Sequence, residues 1–136
     1  MSHYTRVRTS LHDQETLVRA LRKLGFDQVE SHPEPQSLYG YQGDRRSQRA
    51  EVIIRRQCVG AASNDIGFAR AGDDGFQAII SDYDRRRFNE AWLRRLTQTY
   101  GHESALSFAE EHGYEILTEE TDKAGNVRLT LRRGTF

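Results

Sequence analysis

The sequence is short of several residues that would otherwise direct its interpretation. It has one cysteine, Cys58, two prolines, one tryptophan and one methionine, and only two of its 20 basic residues, Lys23 and Lys123, are lysine. A lone cysteine cannot close an intramolecular disulfide, which excludes a disulfide-stapled scaffold. Met1-Ser2-His3 leads straight into patterned sequence with no apolar signal region, so the expected location is the cytoplasm, without a targeting peptide. No apolar run approaches the roughly 20 residues that a bilayer crossing needs, so no membrane partner is expected. Excess charge is also missing, with 20 basic residues against 20 acidic. That balance argues against a dedicated polyanion binder while leaving room for a local patch. The scarcity of lysine fits a GC-rich genome better than selection for phosphate recognition, although arginine suits phosphate well. There is no internal repeat and no low-complexity tail.

What is present fits a single domain over residues 1–136. A chain of this size buries about two-thirds of its unfolded surface and needs no staple. The halves differ modestly. Residues 1–70 carry 11 basic and 8 acidic side chains and residues 71–136 carry 9 and 12, which is +3 against −3 and would permit head-to-tail contact between copies.

Tyr4 to Thr9 alternates as a half-buried strand does, with Tyr4, Arg6 and Arg8 on one side and Thr5, Val7 and Thr9 on the other. Asp13 is placed to cap a helix whose apolar stripe is Leu17, Val18, Leu21 and Leu24, and Gly25 is placed to end it. Pro33 and Pro35 make residues 31–37 a loop. Tyr39 to Gly43 reads as an extended piece ending in a turn, and residues 44–49 are polar and arginine-rich. Strand-like runs follow at Ala50–Arg56, Asp65–Arg70 and Phe76–Tyr83, the last two joined by an Asp73-Asp74-Gly75 hairpin turn. Residues 84–112 are helical, with Phe88, Trp92, Leu96 and Tyr100 on one face. Gly101 suggests a kink or a break, because a glycine within a helix costs about 1 kcal/mol against alanine. Tyr114–Thr118 and Val127–Leu131 form a C-terminal hairpin. Neighbouring strands without strict strand–helix alternation indicate an α+β fold: an antiparallel β-sheet with two helical segments packed on one face. The opposite sheet face is then left open for function or association.

Short matches spread along the chain carry a family resemblance. They are Met1-Ser2-His3-Tyr4-Thr5 with Val7 and Thr9; Leu17, Ala20-Leu21 and Leu24-Gly25; Tyr39-Gly40-Tyr41 with Gly43; Ala50 to Arg55; Asp65-Ile66-Gly67-Phe68; Leu96-Thr97-Gln98 with Tyr100; and Gly113-Tyr114. Together they resemble the plastid and cyanobacterial hypothetical chloroplast reading frame thirty-five, domain of unknown function number twelve fifty-seven. The resemblance implies a small soluble α+β protein with no agreed substrate, cofactor or catalytic residue, so no catalytic role transfers to this chain.

The residues themselves carry little chemistry. His3, His12, His32, His102, His112 and Cys58 show no metal-ligand spacing, and neither a metal nor another cofactor is implied. Cys58 follows a strand and reads as a small buried hydrophobe before it reads as a nucleophile. Asp82 and Asp84 flank Tyr83 and fall on one side of an extended strand, where they could pair; the plainer reading makes Asp84 a helix cap. Phe88, Trp92 and Tyr100 read as core. The most suggestive stretch holds Tyr39, Tyr41, Arg45, Arg46, Arg49, Arg55 and Arg56, the ingredients of a nucleotide or single-strand contact. Its plainer reading is a solvated, charged edge that resists pairing with other chains.

Three functions remain. The first is a non-catalytic protein-interaction, assembly or regulatory factor, whose partner is another protein or a second copy. The second is a nucleotide or nucleic-acid binding module using the Tyr39–Arg56 stretch. The third is an enzyme relying on Asp82 or Cys58. The missing catalytic signature and the charge asymmetry favour the first.

Overall fold

The computed structural model describes residues 3–72 and 75–134. The alternating start of the chain is β1 (Tyr4–Arg8). Asp13 caps α1 (Gln14–Lys23) by accepting from the Thr16 amide at 2.9 Å and the Thr16 hydroxyl at 2.6 Å. These bonds hold its carboxyl below the usual range. Leu17, Val18, Ala20 and Leu21 turn inward. The helix stops at Gly25, whose φ of +105° lies where side chains are strained. There the Gly25 amide donates to the Arg22 carbonyl and the Phe26 amide to the Leu21 carbonyl, closing the last turn.

The next segment differs from expectation. Residues 31–37 are not a loop but lie within β2 (Glu30–Tyr39), and residues 45–49 open β3 (Arg45–Ile54). The prolines are tolerated for two reasons. β2 is the outermost strand of a five-stranded antiparallel sheet of order β1-β5-β4-β3-β2. Its register also jumps from Ser31 opposite Val52 to Gln36 opposite Ala50, so Pro33 and Pro35 fall in an irregular stretch where the ladder needs no amide from them.

A short α2 (Arg56–Val59) leads into β4 (Ile66–Arg70) and β5 (Phe76–Ser81). Asp73 and Asp74 of the expected turn lie outside the described residues. The helical stretch at 84–112 divides into a 3-10 turn at Asp84–Arg86 and α3 (Glu90–Glu111). Asn89, not Asp84, caps α3, accepting from the Trp92 amide at 3.1 Å. α3 runs unbroken through Gly101. Twenty-two residues held by packing on both sides of the glycine outweigh its local cost.

Both long helices lie on one face of the sheet. Leu17, Leu21, Phe88, Trp92 and Leu96 pack against Val52, Ile54, Phe68, Phe76 and Ile80. Phe88 and Trp92 meet edge to face at 4.9 Å between ring centres. The α+β expectation, an antiparallel sheet with two helices on one side, describes this part of the molecule.

The open opposite face does not. A second buried cluster of Leu38, Ala50, Ile53, Ala69 and Ile79 lies there, with Tyr4 packed against it. The β2–β3 arm folds back over it, so that the Arg46 guanidinium lies 5.0 Å from the centre of the Tyr4 ring, although β1 and β3 are separated by two strands in the sheet. The Tyr4 hydroxyl donates to the Asp65 carbonyl at 2.7 Å. Gly67 is required beneath the arm: a Cβ there would stand 2.7 Å from that of Ala50 and 3.0 Å from the Leu38 methyls. The chain's own arm therefore covers the middle of this second face, while Arg6 and Arg8 stay exposed at its β1 end.

β6 (Tyr114–Thr121) and β7 (Val127–Arg133) form the expected C-terminal hairpin, but as a separate two-stranded sheet. It leans on α3 through His102 to Glu119 at 2.6 Å and Gln98 to the Ala124 carbonyl at 2.9 Å. No described hairpin residue belongs to either buried cluster. No helix among the described residues is long and apolar enough to cross a membrane.

Candidate functional site

Three residues before β4, Ser63-Asn64-Asp65, organise one end of the sheet. All three are buried, and a polar side chain taken from water must find partners. Asp65 finds three: its carboxylate accepts from the Arg56 amide at 2.7 Å, the Tyr39 amide at 2.8 Å and the Arg55 guanidinium at 2.9 Å. Asn64 accepts from the Tyr41 amide at 2.9 Å and donates to the Ser81 hydroxyl at 2.9 Å. Ser81 donates to Asp84 at 2.7 Å, and Asp84 also accepts from the Asn64 amide at 3.0 Å.

This arrangement decides what the arginines of the Tyr39–Arg56 stretch do. Arg55 is held in both directions. It makes a two-pronged contact to Glu30 at 2.7 and 3.0 Å, a third to Asp65, and a fourth to the Ser37 carbonyl at 3.0 Å. Its guanidinium is held protonated above even the usual arginine range, chiefly by the Glu30 hydrogen bond. Glu30 is held below the usual carboxylate range by Arg55 and, to a lesser degree, by His32 at 2.8 Å. Arg45 donates to the Ser37 hydroxyl at 3.2 Å and Arg49 to the Pro35 carbonyl at 2.8 Å, so both brace the hairpin they belong to. Arg46 stacks on Tyr4. Burial, and then the nearby Asp65 carboxylate, push the Tyr4 phenol upward. Arg56 contributes its backbone amide to Asp65. Tyr39 and Tyr41 are 39% and 40% exposed at the tip of the arm. The structure therefore brings Tyr39, Arg55 and Arg56 onto Asp65 and leaves Arg45 and Arg49 along the arm.

Asp82 and Asp84 do not pair. Asp82 is exposed and accepts from the Thr5 hydroxyl at 2.7 Å, while Asp84 is buried on Ser81 and Asn64. A turn begins after Ser81, which breaks the alternation that put both carboxylates on one side. Cys58 is exposed on α2, not buried, with its sulfur 3.8 Å from the Gln28 side-chain oxygen. No group of three His, Cys, Asp or Glu among the described residues is spaced to hold a metal ion.

The residues that sequence reasoning missed are Glu30, Asn64, Ser81, Arg86 and Arg87; Asp84 was singled out, but as a partner of Asp82 or a helix cap and not as the acceptor for Ser81 and Asn64. Asn64 and Asp65 carried one usable signal: two polar residues directly before a strand that is buried at Ile66, Gly67 and Phe68. Around the Ser63–Asp65 segment a shallow depression of about 450 Å3 is lined by Gly60, Ala61, Ala62, Ser63, Tyr83, Arg86 and Arg87, with Asp84 at its back.

The family described as "Protein of unknown function (DUF1257)" matches residues 20–130. The chain is 29% identical to the uncharacterized protein ycf35 of Cyanophora paradoxa, with all of both chains covered. It is 23% identical to the uncharacterized protein ycf35 of Pyropia yezoensis over the whole of both, and 26% identical to that of Guillardia theta over 98% of each. No solved structure matches it. The match runs from the second half of α1 through β2–β5 and α3 into the C-terminal hairpin, well over half of the chain, and the chain belongs to the DUF1257 family of proteins of unknown function.

Proposed function

We propose that the protein is a non-catalytic interaction factor and that its docking element is the C-terminal hairpin. One observation carries this reading: the hairpin gives nothing to the buried clusters and leaves Ile116 and Leu117 41% and 49% exposed. Leu117 is the extra residue of a register shift between Ile116 and Thr118, which sets two apolar side chains side by side at the surface. A two-stranded hairpin is only marginally stable by itself, so covering it with a partner is favourable. Its four acidic and four basic residues balance, so the acidic excess of the C-terminal half does not gather there. Recognition is then apolar, and the partner is a protein presenting an apolar surface. The arm covers the apolar centre of the second sheet face, which takes away the open surface on which the sequence-based version of this reading relied.

Light scattering after size exclusion distinguishes a second copy from a different protein. Affinity capture with the parent and with an Ile116→Ser/Leu117→Ser variant is the test. A captured or self-associated partner lost in the variant is the expected result. A strict monomer that captures nothing, or capture unchanged by the variant, removes the proposal.

The alternative is a nucleotide or nucleic-acid module using Tyr39, Tyr41 and the arginines from Arg45 to Arg56. It is supported by the exposure of both tyrosines. Binding through several arginines falls steeply with salt, and an Arg45/Arg46/Arg49 triple alanine variant that binds like the parent excludes it.

A further inference from the structure

We propose that the depression between the Gly60–Ser63 loop and the Tyr83–Arg87 turn is a binding site for the phosphate group of a small phosphorylated molecule. Nothing in this proposal depends on the hairpin.

Two cations are held at its rim in fixed positions. Arg86 donates to the Tyr83 carbonyl at 3.2 Å and lies 4.4 Å from the centre of the Tyr83 ring. Arg87 donates to the Val59 carbonyl at 2.9 Å and lies 5.0 Å from the Phe88 ring centre. Among the described residues neither guanidinium forms an ion pair, and each uses one of its five N–H donors in these bonds. The neighbouring Arg85, by contrast, is paired with Glu90 at 2.7 Å. Arginines already fixed by a carbonyl and a ring lose little further freedom on binding, which favours a multidentate oxyanion.

The loop supplies neutral donors. The amides of Ala61 and Ala62 donate to no described residue. Ser63 is 6% exposed, lines the depression, and its hydroxyl makes no hydrogen bond within the described residues. That hydroxyl is not among the buried, unpartnered side-chain atoms, so it opens onto the depression and is free to bond a ligand oxygen there. The one carboxylate lining the depression, Asp84, is turned to the Asn64 amide and the Ser81 hydroxyl, leaving the arginines unneutralised. Consecutive amides, a hydroxyl and two guanidiniums form the donor set that a phosphate dianion takes up. At about 450 Å3 the depression exceeds a bare phosphate and admits the sugar or base attached to it.

The experiment is an NMR and calorimetric titration of the full chain with inorganic phosphate, ribose 5-phosphate and adenosine monophosphate, with sodium chloride and adenosine as controls. Saturable shifts at the Ala61 and Ala62 amides with the phosphate compounds are expected, and none with adenosine. A tighter response to one of the organic phosphates identifies what occupies the rest of the depression. Arg86→Ala/Arg87→Ala should weaken binding about tenfold or more. Ser63→Ala should weaken it by a smaller factor, and Arg94→Ala/Arg95→Ala on α3 should leave it unchanged. Circular dichroism confirms that each variant is folded, and Arg87→Lys with Ser63→Ala replaces the double variant if that fails to fold. No shift at Ala61 and Ala62 at millimolar phosphate, equal binding by the folded variants, or equal weakening by the Arg94/Arg95 variant would overturn the proposal.

Discussion

The five-stranded body and the C-terminal hairpin are built on opposite terms. The body packs helices on one sheet face and its own β2–β3 arm on the other, and it ties the two together through buried Asp65, Asn64 and Asp84. The hairpin has a ladder of its own, interrupted once at Leu117, but reaches the rest of the chain mainly through α3, with a small gap lined by Gly101, Ala105, Val127 and Leu129 between them. Ladder hydrogen bonds define local shape, and burial determines how firmly an element is held. The lesson is that a well-formed strand pair is not by itself part of a core.

The sharpest way to break this contrast is through the body's polar centre. Asp65→Ala leaves the Arg55 guanidinium without one of its two carboxylates and two backbone amides without acceptors. Urea unfolding followed by the fluorescence of buried Trp92 should show a loss of about 3–5 kcal/mol. A loss under 1 kcal/mol would mean that the buried network is dispensable. Next in size is Gly67→Val, which drives a side chain into Ala50 and Leu38 and should cost about 1–3 kcal/mol if the arm lies tight on the sheet. No cost would show that the arm lifts away.

A pH series is gentler. Glu30 is held below its ordinary value by Arg55, so its stabilising contribution is complete above the unfolded value of about 4.3 and is lost as pH falls through the lower folded value. Glu30→Gln should be less stable than the parent at neutral pH and converge with it in acid. Parallel curves at all pH values would remove Glu30 from the network. The smallest expected effect belongs to the hairpin: Ile116→Ser/Leu117→Ser should change the Trp92-monitored stability by no more than about 0.5 kcal/mol. Amides of β6 and β7 should exchange through local openings well below the global unfolding energy. Hairpin exchange as slow as that of β4 would unite the two regions and end the comparison.

Much of the secondary structure was legible because it follows local rules. The Asp13 cap, the Leu17–Leu21 stripe, the Gly25 stop and the β4 and β5 runs each follow from a few neighbouring residues. What was not legible depends on strand order. Pro33 and Pro35 exclude a central strand and not an outer one, and nothing nearby in the sequence shows that β2 is outermost. The covering arm escaped notice for the same reason, since Arg46 meets Tyr4 across 42 positions of chain. At the candidate site, the tyrosines and arginines were visible as ingredients. Their commitments were not, because Glu30, Asp65 and the Ser37 carbonyl that engage Arg55 come from separate segments. Likewise Arg86 and Arg87 gained meaning only when the Gly60–Ser63 loop was found beside them.

The proline-bearing stretch of β2 also governs how the molecule meets extended peptides. An incoming strand recruits by docking its carbonyls on a run of outward amides, and Pro33 and Pro35 remove two such amides where the ladder is already irregular. Of the two outer strands of the sheet, β1 keeps an uninterrupted register with its neighbour. Fibril-like stacking and templated misassembly are thus disfavoured on the β2 flank, and β1 is the rim where a protective substitution would matter most.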